Sequence, residues 1–334
     1  MGLWRRSVLN PESNVQFGEG GAGTFSDGKL YSQIKDPRFL GRKVLTEFVK
    51  AGAPPEILTE AHPHIGTFRL VTMVESIRET IEGLGGEYRF GQRVDDIDVE
   101  TRADGTRAIR GVHLHTGDYL EADHVVLAIG HSARDTFEML HERGVFIEPK
   151  PFSIGVRIEH PQSWIDKARF VVGIDPARDY PDGPLAGIAL QRHFESLAYV
   201  AGGSTYAAPG QKLGDFLAGR PSTELGDVIP SYKPGVHLTD LAQCLPDFAV
   251  EAMREALPVF GRQIPNYAHP DAMMTGVETR TSSPIRITRG KDFQSLNTAR
   301  LYPAGEGAGY AGGILSAAVD GIKVAEALAL TMMA

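Results

Sequence analysis

Glycine is the residue that most constrains this chain. There are 38 in 334 residues, and residues 18–28 and 305–313 together hold ten of them in twenty positions. An even spread would place about two in that length, so the clustering is not a matter of overall composition. Segments so rich in glycine start neither helices nor strands. Each window therefore reads as a loop whose backbone approaches something that a Cβ would obstruct.

The segments between these loops read as alternating α and β structure. Helices are expected over Pro37–Ala51 and over Leu70–Leu84, the second stopped by Gly85-Gly86. Glu87–Phe90 and Val94–Val99 read as one strand or two, and Asp104-Gly105 marks a hairpin to Ala108–His115. A short strand at Tyr119-Leu120 follows. The run Val125–Gly130 has the continuous apolar character of a buried parallel strand, and a helix over Arg134–Gly144 comes after it. Phe152–Glu159, Leu185–Gln191 and Leu197–Val200 read as strands, Leu238–Cys244 and Phe248–Phe260 as helices, and Val277–Thr288 as a strand interrupted at Ser282–Pro284. Near the end, Leu301–Ala304 enters the second glycine loop and a helix over Ile314–Leu330 leaves it. The class is α/β.

Composition narrows the function classes. The formal charge is −8 and no long Lys/Arg run occurs, which argues against nucleic acid or an anionic membrane as partner. No apolar stretch approaches the length of a spanning helix, and no apolar signal segment follows Met1. The single cysteine, Cys244, rules out a disulfide framework or thiolate metal cage and points to a reducing, cytoplasmic setting; on an apolar helix face it reads as inert core. A small-molecule substrate is the expected partner.

Gly18-x-Gly20-x-x-Gly23 matches the dinucleotide fingerprint letter for letter. That fingerprint has meaning only between a strand and a helix, with an acidic residue about 20 positions on. Here Thr24–Gly28 cannot open a long helix, so an NAD-only Rossmann reading fails on context. The second window has the better surroundings: strand, glycine loop and a helix whose N-terminus favours an anion. Small residues in tight helix–sheet corners are the competing explanation of both windows.

The stretch Asn14–Tyr31, taken with Tyr302–Gly313, resembles the uncharacterised bacterial FAD-dependent dehydrogenases of the wider glutathione-reductase-like flavoprotein group. Pro63–Thr67, Ala128–Thr136 and Gly276–Pro284 agree with that family, so the resemblance runs along almost the whole chain. It implies FAD as cofactor, with NAD(P)H as a candidate electron donor, and hydride passing through the flavin to or from a small molecule. It further implies that Gly18, Gly20, Gly21, Gly23, Ser26 and Asp27 lie along the ribityl and pyrophosphate groups. Val94 would offer backbone to the adenine, and Gly130 would end the second strand near the cofactor. Gly305, Glu306, Gly312, Gly313 and Ile314 would meet the ribityl chain and the flavin edge.

Two departures from the family pattern stand out. The family's first βαβ unit, with its own glycine fingerprint, precedes the stretch with which this chain opens, and a cysteine-containing segment falls between the positions of Phe170 and Val171, which are here adjacent. The expected architecture is thus an incomplete, discontinuous FAD-binding domain (1–150 and 275–334) with an inserted α+β substrate domain (151–274). A truncated, non-catalytic remnant acting as a binding or interaction module is the alternative.

Candidate catalytic residues are Lys29, His131, Glu278, Arg280 and Tyr310. Lys29 either tunes flavin charge or is a solvated lysine after a turn. His131, directly after the glycine-ended strand, suits a general acid or base. Glu278 and Arg280 would share a strand face, either to hold a substrate carboxylate or as an internal ion pair. Tyr310 either stacks on the ring or closes the pocket. His62 and His64 flank Pro63 like a metal pair, but no further ligand stands at suitable spacing, and no metal is expected.

Overall fold

In a computed structural model the chain divides into two compact units, one of Glu12–Pro149 and Ser282–Ala334, the other of Met1–Pro11 and Lys150–Thr281. The structure describes residues 8–12, 19, 28–30, 32, 34–60, 63–161 and 168–333. In chain order the main elements are α1 (Leu40–Lys50), α2 (Thr67–Gly83), β1 (Val94–Thr101), β2 (Arg107–Leu114), β3 (Tyr119–Glu121), β4 (Val125–Leu127), α3 (Arg134–Glu142), β5 (Ile147–Pro149) and β6 (Phe152–Glu159). They continue with β7 (Ala168–Ile174), α4 (Ala186–Ala201), β8 (Ala208–Lys212), β9 (Val236–Leu238), α5 (Asp247–Gln263), β10 (Met273–Glu278), β11 (Ile285–Ile287), β12 (Leu301–Pro303) and α6 (Ile314–Met333). The chain is a mixed α/β protein with several sheets.

In the first unit, β1, β2 and β3 form an antiparallel meander. Its first turn is set by Asp104, whose carboxylate accepts the Thr106 amide at 2.9 Å, and by Gly105 at φ +82°. The three-residue strands β4 and β12 pair in parallel, Leu301 opposite Val125 and Pro303 opposite Leu127. β12 is buried along its length, whereas in β4 Leu127 is buried and Val126 is 45% exposed. Helix α1 lays Leu40 and Val44 against Val319 of α6, with Leu315, Ala318 and Ile322 around them. Burying each of the first three contributes about 1.5–3 kcal/mol, enough to fix the direction in which α6 leaves the glycine loop. Gly85, at φ +92°, stops α2 as expected.

In the second unit a five-stranded sheet runs β7-β6-β10-β8-β9, antiparallel except for the parallel pair β8–β9. On β6 the alternation is clean. Phe152, Ile154, Val156 and Ile158 enter the core with Ala249, Val250, Met253 and Leu257 of α5, while Ser153, Gly155, Arg157 and Glu159 occupy the other face. Cys244 is fully buried in the same core, as expected, but it ends a single 3-10 turn, Leu241–Cys244, and not a helix over Leu238–Cys244, because Leu238 belongs to β9.

Three further sequence expectations need correcting. Leu185–Gln191 and Leu197–Val200 are not strands: both lie in α4, whose buried residues Ile188, Gln191, Phe194, Ala198 and Ala201 recur at helical spacing. Two short apolar runs look like strands only when each is read without the polar residues that join them. Val277–Thr288 is not one interrupted strand either. Its halves belong to different sheets, β10 in the second unit and β11 pairing with β5 in the first. Finally, Glu87–Phe90 forms no strand, and the strand that follows it starts at Val94.

Candidate functional site

The site in the first unit is built where two loops leave the carboxyl ends of β4 and β12, the end of a parallel sheet at which ligands bind. Gly130 follows β4 at φ +67°, and Gly305 follows β12 at φ +70°. The loops touch backbone to backbone. A Cβ added at Gly307 would stand 2.3 Å from the carbonyl oxygen of Gly130, and one added at Gly309 would meet the Ile285 carbonyl oxygen at 2.8 Å. Gly312 and Gly313 differ, because an added Cβ would meet nothing within 4 Å on either, and both are exposed. The loop thus has a packed half, Gly305–Gly309, and an open half, Gly312–Gly313, which leads into the first turn of α6 at Ile314. Ser316 closes that turn by accepting the Gly312 amide at 3.2 Å and donating to the Gly313 carbonyl at 2.9 Å.

At the junction of the loops, His131 Nδ1 lies 3.4 Å from Glu306 Oε1, with both side chains largely buried. The structure therefore brings together Gly130, His131, Gly305 and Glu306. Tyr310 is held elsewhere in this loop: its ring lies 3.9 Å beneath the Arg289 guanidinium, and its hydroxyl accepts the Arg289 amide at 3.0 Å. Arg289, which sequence reasoning missed, also donates to the Pro303 carbonyl at 2.6 Å and pairs with Asp320 of α6. Asp320 in turn accepts the Gly305 amide at 2.8 Å. No local signal links residues 289, 305, 310 and 320, so a single sequence conceals this network.

The other expected residues fall as follows. Lys29 is exposed and bridges His64 in an isolated antiparallel pair, while its neighbours Gly28 and Leu30 are buried. Val94 opens β1 opposite Leu114, and the preceding Arg93 spends its backbone N–H and C=O on His115. Gly18, Gly20, Gly21, Gly23, Ser26, Asp27 and His62 lie outside the described residues. Among the described residues no three His, Cys, Asp or Glu side chains gather as a metal ligand set.

Glu278 and Arg280 belong to the second unit and do not share a strand face, because β10 ends at Glu278. Arg280 pairs instead with Glu195 of α4, at 2.9 and 3.1 Å, and Glu195 also accepts the Thr279 hydroxyl at 2.8 Å. Glu278 lines a cavity of about 390 Å³ in this unit, together with Arg157, Glu159 and Glu195. Glu195 escaped sequence reasoning because its segment read as strand and loop.

Residues 168–281, all within the second unit, match the family described as FAD-dependent protein, C-terminal domain-like. A protein of Clostridium beijerinckii (strain ATCC 51743 / NCIMB 8052), described as an uncharacterized protein, is 42% identical over 391 aligned residues, which take in 97% of this chain and 72% of the relative. The chain belongs to one family with this clostridial protein, and within it residues 168–281 resemble the C-terminal domain of FAD-dependent proteins.

Proposed function

We propose that this chain is a flavin-dependent oxidoreductase of the glutathione-reductase-like group, with FAD along the glycine loops that follow β4 and β12 and a small molecule as redox partner. The observation that carries the reading is the two-sided Gly305–Gly313 loop. In its packed half a Cβ at Gly307 or Gly309 would strike backbone, and its open half leaves room where a flat ring or a ribityl chain fits without a Cβ in the way. The residues present fit the group. Gly130, Gly305, Glu306, Gly312, Gly313 and Ile314 would hold it, joined by the Gly18–Asp27 loop.

When bound, FAD supplies reversible hydride transfer, which amino-acid side chains do not offer. The chain's own residues position and neutralise. The first turn of α6 presents backbone N–H groups and the positive end of a long helix to negative charge. The Asp320–Arg289–Tyr310 network fixes the loop that carries the glycines. His131, oriented by Glu306, can take up and return a proton at the loop junction. In this reading the division at Lys150 and Thr281 separates a flavin-holding unit from a unit that serves the substrate.

A second reading, a shortened flavoprotein relative that binds without catalysing, draws on a different observation. Among the described residues β4 pairs on one side only, with β12. The alignment to the clostridial relative also spans 391 residues against the 334 of this chain, so it includes stretches of the relative with no counterpart here. One experiment tests the flavin reading. The purified chain is titrated with FAD while visible absorption and flavin fluorescence are followed, and the complex is then reduced anaerobically. Saturable binding and reversible bleaching support the oxidoreductase. A chain that leaves free FAD unperturbed overturns it.

A further inference from the structure

The cavity of about 390 Å³ lies wholly within the Lys150–Thr281 unit, and the glycine loops take no part in it. We propose that it binds an aromatic monocarboxylate, with the carboxylate held by the Arg157 guanidinium and the Thr275 hydroxyl and the ring against Tyr199 and Tyr206. The proposal concerns a ligand site in this unit and does not rest on the flavin reading.

Arg157 and Thr275 carry the argument together. They stand directly opposite each other in the antiparallel pair β6–β10, so their side chains leave the same face of the sheet. Ile154, Val156 and Ile158 enter the core from the other face, and both Arg157 and Thr275 line the cavity. Thr275 is only 8% exposed. Among the described residues neither its hydroxyl nor the Arg157 guanidinium has a hydrogen-bond or ion-pair partner. An enclosed hydroxyl without a partner is costly, and an acceptor placed in the cavity removes that cost. A planar fork of donors with one more donor beside it suits a carboxylate, which can accept two parallel hydrogen bonds from arginine and a third from threonine.

The carboxylates of the wall are all engaged, so none of them stands ready for a cationic group. Glu195 is neutralised by Arg280 at 2.9 and 3.1 Å, and Glu278 has a partner as well. Glu159 accepts both the amide and the hydroxyl of Ser231 at 2.8 Å. Those donors are neutral, so Glu159 keeps its charge and limits the ligand to a single negative charge: a phosphate or a dicarboxylate would bring a second one against it. The rest of the wall suits a ring. Tyr199 and Tyr206 stand edge to face with ring centres 6.3 Å apart, and Ala198, Pro209 and Val277 add apolar surface. The volume falls within the range of small-molecule pockets, roughly 300–1,000 Å³.

The test is calorimetric titration of the full chain, without added FAD, with 3-phenylpropionate, its neutral amide 3-phenylpropionamide, and L-phenylalanine, which adds an ammonium group. 3-Phenylpropionate is expected to bind saturably, the amide at least about tenfold more weakly, and L-phenylalanine no more tightly than 3-phenylpropionate. Arg157→Gln should weaken 3-phenylpropionate to the level of the amide while changing the amide less than about threefold. Thr275→Val, which keeps the branched shape and the strand, should weaken 3-phenylpropionate by about tenfold. Thermal melts identify any variant that fails to fold, in which case the comparison of acid and amide on the unmodified chain decides. No saturable binding of 3-phenylpropionate, or an amide that binds as tightly as the acid, overturns the proposal. So does an Arg157→Gln variant that folds and still prefers the acid.

Discussion

The carboxylate of Asp320 in α6 clasps the guanidinium of Arg289, with both side chains less than a tenth exposed, and the same carboxylate accepts the amide of Gly305. One helix residue thereby fixes both the start of the glycine loop and the arginine on which Tyr310 lies. Pairs of this kind are costly to break from one side, because the remaining charge is left buried and uncompensated.

Asp320→Ala should therefore destabilise the first unit by about 3–5 kcal/mol, read as a lower melting temperature or a lower urea midpoint. Asp320→Asn keeps an acceptor for the Gly305 amide but not the charge opposite Arg289, so it should fall between the alanine variant and the unmodified chain. Equal midpoints for all three proteins would show that the clasp does not hold the loop.

The two halves of the glycine loop should respond differently to a side chain. Gly307→Ala drives a Cβ to 2.3 Å from the Gly130 carbonyl oxygen and within 3.0 Å of that residue's carbonyl carbon and amide nitrogen, where only backbone can give way. Its stability should drop by more than about 1 kcal/mol. Gly312→Val enters open space, so its stability should stay within about 0.5 kcal/mol of the parent. If FAD occupies that space, Gly312→Val should still weaken it by at least about tenfold in a fluorescence-quenching titration. Parent-like FAD affinity in a folded Gly312→Val variant would remove the flavin from this part of the loop.

How much of this was legible in the sequence depended on whether the signal was local. The Asp104-Gly105 turn, the helix stop at Gly85 and the strand–loop–helix order from Leu301 to α6 all rest on neighbouring residues and appear where expected. Helix α4 was hidden because Ile188, Gln191, Phe194, Ala198 and Ala201 reveal their spacing only across the whole segment. The β5–β11 pair joins three-residue strands from distant parts of the chain, where alternation has no length in which to show itself. The same holds for the site. Gly130, Glu306 and His131 stood beside visible strand ends, whereas Arg289–Asp320 and Glu195–Arg280 are pairings that only the folded backbone creates.

The acid limb of the stability profile should involve the meander. Asp96 of β1 accepts hydrogen bonds from the Arg143 guanidinium, beyond the end of α3, and this holds its carboxyl below the usual range. A depressed folded pKa contributes stability that is fully present above the unfolded value, near pH 3.9, and is lost as pH falls through the lower folded value. Asp96→Asn should lower stability at neutral pH and flatten its decline below about pH 4, as read by urea midpoints along a pH series. A variant with the parent's full acid dependence would show that solvent screening leaves the pair without effect.

Cys244 supplies the alkaline counterpart. Burial in the core of the second unit, with Asp240 adding to the effect, pushes its thiol up to about 12. The unfolded thiol ionises near 8.5, so above that pH the unfolded chain binds fewer protons than the folded one, and stability falls as pH rises toward the folded value. Two outcomes follow. In the native chain a thiol-specific disulfide reagent should react with Cys244 only at the rate of opening, and urea should restore ordinary reactivity. Cys244→Ala should be less stable at neutral pH because of the cavity it leaves, yet lose less on going from about pH 7 to about pH 10. Rapid labelling of the native thiol at neutral pH would contradict its place in the core.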